Sequence, residues 1–302
     1  MIGRAYLISG AVGALAAGLL GGGIEVAARA ISGPRRPVPS YRFTPFEVGV
    51  PSEDVEFNAA DGTRIAGWWL DRPESTRVVI VCHGHHGSKA DLLGIGPGLW
   101  RAGNSVLMFD FRGNGESGDG PQSLAHYEQQ DLAAAVDFVR SRRPDAAVAV
   151  LGFSMGAAVA MLTAADDPRI EALVLDSPFA QMHDVVTAAA RRLRLPPFPL
   201  VPLIDRHTRM RYGYRFHDVR PIDIAHQLAP RPVLFLHGGA DRTIPPDQSL
   251  QLHQRVGASS RRIVFPGADH CGGYFQDRPG YIRLVAGFFD EVLGPVSRRP
   301  AA

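Results

Sequence analysis

Ser154 is the residue of this chain whose setting most clearly suggests chemistry. It lies in Gly152-Phe153-Ser154-Met155-Gly156, after the apolar run 148–151 and before the small-residue run 155–165. A buried strand, a sharp turn and a helix have this pattern, with one serine at the apex. Glycine on both sides lets the turn pack where any side chain would collide with a neighbouring element. The helix N-terminus at Met155 offers free N–H groups and the positive end of its dipole to a developing oxyanion. A tight turn with a spare serine shares the motif, but its place between strand and helix points to a nucleophile.

A serine hydroxyl attacks well only when a base takes its proton. His270 is the candidate, because Pro266-Gly267-Ala268-Asp269-His270 follows an apolar strand and Gly272-Gly273 come behind it. His83, His85, His86 and His237 compete for the role. An acid must then fix the tautomer of the base. Asp241, in His237-Gly238-Gly239-Ala240-Asp241, is preferred, and Asp176 is the alternative. The order serine, acid, histidine places one member at the end of each successive strand. Asp269 adjoins His270 in sequence and is discounted. The oxyanion would be held by the backbone N–H groups of Met155 and His85, the latter in His83-Gly84-His85-His86-Gly87. His83 and His86 are expected to hold that loop together.

These residues need a scaffold that brings strand ends to one edge. Short apolar runs at 55–58, 65–70, 77–82, 105–109, 148–151, 172–175, 233–236 and 262–265 read as strands. Helical patterns fall near 89–102, 124–140, 155–165, 248–256 and 281–293. The first two strands form a hairpin at Asp61-Gly62, with Trp68 and Trp69 expected at the sheet edge. Beyond them, strands alternate with helices, which means βαβ units and a mostly parallel sheet of the α/β class. Ligands bind such sheets beyond the carboxyl ends of the strands. His83, Asp110, Ser154, Asp176, Asp241 and His270 all fall there.

His83-Gly84-x-x-Gly87, Asp110-x-Arg112-Gly113-x-Gly115-x-Ser117, Gly152-x-Ser154-x-Gly156 and the Asp241 and His270 loops together resemble the α/β-hydrolase superfamily. The nearest likeness is to lipase-like and prolyl-oligopeptidase-like serine hydrolases with a short cap. The resemblance covers about residues 55–293. It implies an eight-stranded, mostly parallel sheet with an antiparallel second strand. It also implies the triad Ser154, Asp241 and His270 with the oxyanion pair Met155 and His85. The stretch 179–228 interrupts the alternation with prolines and arginines and reads as the cap; it has no subfamily signature.

The chain has 302 residues and a formal net charge of +2, enough for one large core and too little charge for a nucleic-acid binder. Lys89 is the only lysine. Cys82 and Cys271 have no metal-ligand spacing, and neither a metal nor an organic cofactor is expected. Residues 5–24 carry no charge, about the ~20 residues that cross a bilayer as a helix. Three readings compete: a retained membrane anchor, a signal peptide cleaved near Ala28-Arg29-Ala30, or an apolar helix packed on the domain. The expected organisation is an apolar segment 1–33, a Pro/Arg linker 34–51 and a hydrolase domain 52–302. A single N-terminal membrane anchor is favoured over secretion, with orientation and oligomeric state open.

The expected activity is hydrolysis of an acyl bond, with a carboxylic ester first. A peptide, amide or thioester comes next, and acyl transfer or a non-catalytic binding module is the reading from another class. The expected partner is a small acyl substrate, a lipid among the candidates. The arginine-rich cap suits anionic lipid headgroups or acidic substrates; a solvated basic face is the plainer reading of it.

Overall fold

The computed structural model describes residues 21–33 and 43–296. Eight strands form one sheet: β1 (Glu53–Asn58), β2 (Arg64–Leu70), β3 (Arg77–Cys82), β4 (Ser105–Phe109), β5 (Ala147–Phe153), β6 (Ile170–Asp176), β7 (Val233–Gly238) and β8 (Ser260–Phe265). Their order is β1-β2-β4-β3-β5-β6-β7-β8. β2 runs antiparallel to both β1 and β4, and every other pair is parallel. This is the α/β-hydrolase arrangement that the motifs imply. β2 therefore lies inside the sheet, so Trp68 and Trp69 are buried on its two faces instead of covering an edge.

β3 shows why the centre forms. Val78 and Ile80 point into the core on one face, Val79 and Val81 into the core on the other, and all four are buried. A strand covered on both faces must be apolar at every position, and each such side chain contributes roughly 1.5–3 kcal/mol on burial. Helices α3 (Glu128–Arg142) and α4 (Met155–Asp166) cover the first face, and α2 (Gly96–Arg101) and α10 (Arg278–Leu293) the second; α8 (Asp247–Val256) follows β7 and the short α9 (Gly273–Gln276) follows β8.

The α3 pattern begins at Leu124 in the sequence, yet the helix starts at Glu128. Leu124 and Ala125 have positive φ. The Glu128 carboxylate accepts from the Ser123 N–H, the Ser123 hydroxyl and the Ala125 N–H, which holds a non-helical turn in front of the helix.

Between β6 and β7 the chain forms the cap: α5 (Met182–Arg192), α6 (Pro197–Tyr212) and α7 (Pro221–Ile224). Residues 21–32 are helical (α1) and lie against it. Ile24, Ala27 and Ile31 pack on the main core, and Ala28 and Ser32 are fully buried. The Ser32 hydroxyl meets the Tyr214 hydroxyl at 2.6 Å, and Glu25 pairs with His207 of α6. Among the described residues no helix is long and apolar enough to cross a membrane. Most of the uncharged stretch 5–24 lies outside the described residues.

Candidate active site

Ser154 has φ 52° and ψ −114°, a conformation that L-residues adopt only when their surroundings compel it. The surroundings are the two glycines. A Cβ on Gly152 would lie 2.5 Å from the Gly156 carbonyl oxygen, and one on Gly156 would lie 2.6 Å from the carbonyl oxygens of Cys82 and His83. The elbow is thus wedged against the end of β3. The Ser154 N–H donates to the Asp176 carbonyl at 2.8 Å, which ties the turn to β6.

His270 comes from the loop after β8. Its Nε2 is 2.9 Å from Ser154 Oγ and its Nδ1 is 2.7 Å from Asp241 Oδ2. The Asp269 carboxylate accepts the N–H of His270 at 2.8 Å, so it braces the loop and leaves the ring to Asp241. Asp241 Oδ1 accepts the N–H groups of Thr243 and Ile244 at 2.8 and 2.9 Å. Burial raises the pKa of this carboxyl, but hydrogen bonds from His237 and His270 and the nearby His270 charge outweigh it and hold Asp241 well below the usual carboxylate range. Asp241 is therefore a permanent acceptor near neutral pH. The structure thus brings together the three side chains that the sequence nominates.

His237 has a part that the sequence did not reveal. It appears there as a rival base. Its Nε2 lies 2.8 Å from the Ile244 carbonyl and 3.3 Å from Asp241 Oδ2. An Nε2–H at that point holds both the acid and the turn that carries it. The signal available was its place four residues before Asp241, at the end of a strand.

Asp176, the alternative acid, is buried and spends its carboxylate on partners other than the His270 ring. Its Oδ2 accepts from the Tyr281 hydroxyl at 2.7 Å and its Oδ1 from the Ser177 hydroxyl at 2.9 Å. Burial raises its pKa against those two bonds. The Ser177 hydroxyl also accepts the Cys271 N–H at 3.2 Å, which links β6 to the loop carrying His270. Cys82 and Cys271 are both free, and burial pushes both thiols upward.

The loop after β3 adjoins the elbow, since a Cβ on Gly84 would sit 3.5 Å from Ser154 Cβ. The Met155 N–H opens α4 and has no intrahelical acceptor. His83 pins the loop: its Nε2 accepts the Phe111 N–H at 3.0 Å, and its Nδ1 faces the Gly84 carbonyl at 2.6 Å. Burial lowers the pKa of His83, in keeping with a neutral ring that accepts at Nε2. His86 stacks on His85, their centroids 3.6 Å apart. The His85 ring nitrogen reaches the Ile31 carbonyl of α1 at 2.9 Å. Behind the loop, the lone lysine is buried: Lys89 Nζ meets Asp110 Oδ2 at 2.7 Å and Glu116 Oε2 at 2.6 Å.

A cavity of about 380 Å³ opens between α5 and the loop after β7, with Val185, Ala188, Arg191, Thr243, Ile244 and Pro245 among its walls. It lies directly behind the backbone that holds Asp241.

Known proteins agree with this fold. The family described as Serine aminopeptidase, S33 matches residues 73–201. The chain is 27% identical over 238 residues to YqkD of Bacillus subtilis, covering 78% of each chain. It is 30% identical over 258 residues to YfhR of Escherichia coli O157:H7, covering 81% of this chain and 82% of that one. Among solved structures it is similar to the Pyrococcus furiosus esterase Pf2001, with a TM-score of 0.73 at 24% identity, covering 86% of this chain and 98% of the other. The chain belongs to the α/β-hydrolase superfamily.

Proposed function

We propose that the protein is a serine hydrolase that cleaves a carboxylic ester through an acyl-enzyme on Ser154. The observation that carries this reading is the continuous hydrogen-bonded line from Ser154 Oγ through the His270 ring to the Asp241 carboxylate. His270 Nε2 takes the hydroxyl proton as Oγ attacks the acyl carbonyl. The N–H groups of Met155 and His85 receive the oxyanion. The imidazolium, held by Asp241, returns the proton to the departing alcohol. Water then attacks the acyl-enzyme by the reverse route and regenerates Ser154. The side chains present suffice for each proton transfer.

Hydrolysis of a peptide is the second reading, favoured by the aminopeptidase description of the matching family. The esterase title of the Pyrococcus furiosus neighbour favours the first. A fluorophosphonate probe should label Ser154 and fail to label a Ser154→Ala variant. The unmodified protein should turn over p-nitrophenyl esters faster than matched aminoacyl amides. Absence of labelling in the folded protein would sink the serine mechanism; amides preferred over esters would transfer the assignment to a peptidase.

A further inference from the structure

The tip of the cap combines two surface properties that rarely coincide. Leu193, Leu195 and Phe198 are 70%, 45% and 80% exposed. Arg191, Arg192 and Arg194 stand among them and are exposed as well. No carboxylate occurs between Val185 and Ile204, so nothing in that stretch neutralises the arginines. Across residues 179–228 as a whole, eight arginines face four aspartates and no glutamate, a formal +4. Pro196, Pro197 and Pro199 restrict the backbone of the α5–α6 turn, so the apolar side chains have little freedom to fold back. An exposed apolar cluster rimmed by bases matches the interface of an anionic bilayer, where apolar side chains enter the acyl boundary and arginines meet phosphates.

The packing of α1 supplies a second, independent observation. Ser32 contacts Tyr214, and Glu25 contacts His207. The two contacts are seven residues apart in each segment and run in the same order, so α1 lies parallel to α6 and the turn that follows it. The N-terminal end of α1 is therefore directed toward the N-terminal half of α6, the half that begins beside Phe198. The sequence that enters α1 at that end is the uncharged stretch beginning at Ala5.

We propose that the α5–α6 tip is a membrane-contact surface that seats the cap on an anionic lipid bilayer. Arg191, Arg192 and Arg194 engage headgroup phosphates, and Leu193, Leu195 and Phe198 enter the interface. The proposal is independent of which acyl bond the site cleaves. Because Arg191 also lines the cavity beside Asp241, seating the tip would bring that cavity close to the lipid surface.

The test places an environment-sensitive fluorophore on Phe198→Cys in the full chain, with Asp145→Cys as a control. Asp145 is exposed just before the amino end of the central strand β5, whereas the cap leaves the carboxyl end of the neighbouring strand β6. Vesicles of equal parts phosphatidylglycerol and phosphatidylcholine should shift the Phe198 label to the blue and leave the Asp145 label unchanged. Pure phosphatidylcholine should give a much weaker response. In the Phe198-labelled chain, Arg191→Gln, Arg192→Gln and Arg194→Gln together should lower the tip response about a hundredfold in lipid affinity, at about fivefold per arginine. A tip label that ignores vesicles, or one that responds equally with the arginines replaced, overturns the proposal. So does a label already blue without lipid: if independent of protein concentration, it would show the patch covered by the chain's own apolar segment; if concentration-dependent, by a second copy.

Discussion

Asp241→Asn changes one atom, and the structure dictates which way the new amide must face. Oδ1 accepts two backbone N–H groups, from Thr243 and Ile244, so the amide oxygen has to take that place. The NH2 group then occupies the Oδ2 position, 2.7 Å from His270 Nδ1. There it donates, and His270 can answer only with an unprotonated Nδ1. The ring proton moves to Nε2, which faces Ser154 at 2.9 Å and can no longer accept the hydroxyl proton. Flipping the amide does not help, because its NH2 would then meet two backbone donors. Loss of the correct tautomer lowers kcat by roughly 10⁴ in a related arrangement, or about 5.5 kcal/mol of activation free energy. The assay is ester turnover by purified variants, with folding checked by thermal unfolding. Asp176→Asn is the comparison, because its carboxylate faces Tyr281 and Ser177 and not the ring; it should stay within about tenfold of the parent. A folded Asp241→Asn protein retaining a tenth of the activity, or an Asp176→Asn protein losing as much as Asp241→Asn, would refute the reasoning.

The remaining expectations concern the frame around the site. Gly156→Ala should destabilise by about 1–3 kcal/mol and abolish turnover, since its Cβ meets two backbone oxygens, whereas Gly287→Ala, with nothing near its Cβ in α10, should stabilise by about 0.5–1 kcal/mol; chemical denaturation measures both. His83 has a lowered pKa, so below about pH 6.5 the unfolded chain binds a proton that the folded chain refuses, and stability falls by up to about 1.4 kcal/mol per pH unit. His83→Gln keeps an acceptor for the Phe111 N–H and should remove that part of the pH slope between pH 7 and pH 5, as read by ~1-unit steps in denaturant titrations. Tyr214→Phe strands the buried Ser32 hydroxyl and should cost about 1–3 kcal/mol, while adding Ser32→Ala should return part of the loss.

The parts of the site that could be read in the sequence are those with a local pattern. β3 and β4 run from Arg77 to Cys82 and from Ser105 to Phe109, the limits that their apolar runs suggest, because strands buried on both faces leave no polar residue inside. Ser154 and the two glycines were legible because one elbow imposes all three. Asp241 and His270 could be placed by chain order at the strand ends. What escaped depends on contacts distant in sequence. Nothing near Ile31 says that its carbonyl meets His85, and nothing near Ser32 says that Tyr214 waits 182 positions away. The role of His237 is hidden for a different reason: a histidine that supports the acid and one that serves as base carry the same letter, and only geometry separates them. The start of α3 was misread because the apolar period continues through Leu124, while the carboxylate of Glu128 imposes a turn that periodicity does not register.

The chain order of the three side chains has a consequence for biosynthesis. A nascent chain completes the elbow at Ser154 long before it contains an acid or a base. Asp241 follows β7, and His270 follows β8, the strand that finishes the sheet edge. The loops of these two residues are tied together by the Ala240 N–H on the Ala268 carbonyl, and the His270 loop is tied to β6 through Ser177. On the proposed mechanism, Ser154 therefore has neither base nor acid while the polypeptide is being made. Fragments released before residue 270 would carry a formed turn and no reactivity. On that mechanism, completing the site coincides with closing the fold, and labelling of Ser154 would report that synthesis has passed the last strand.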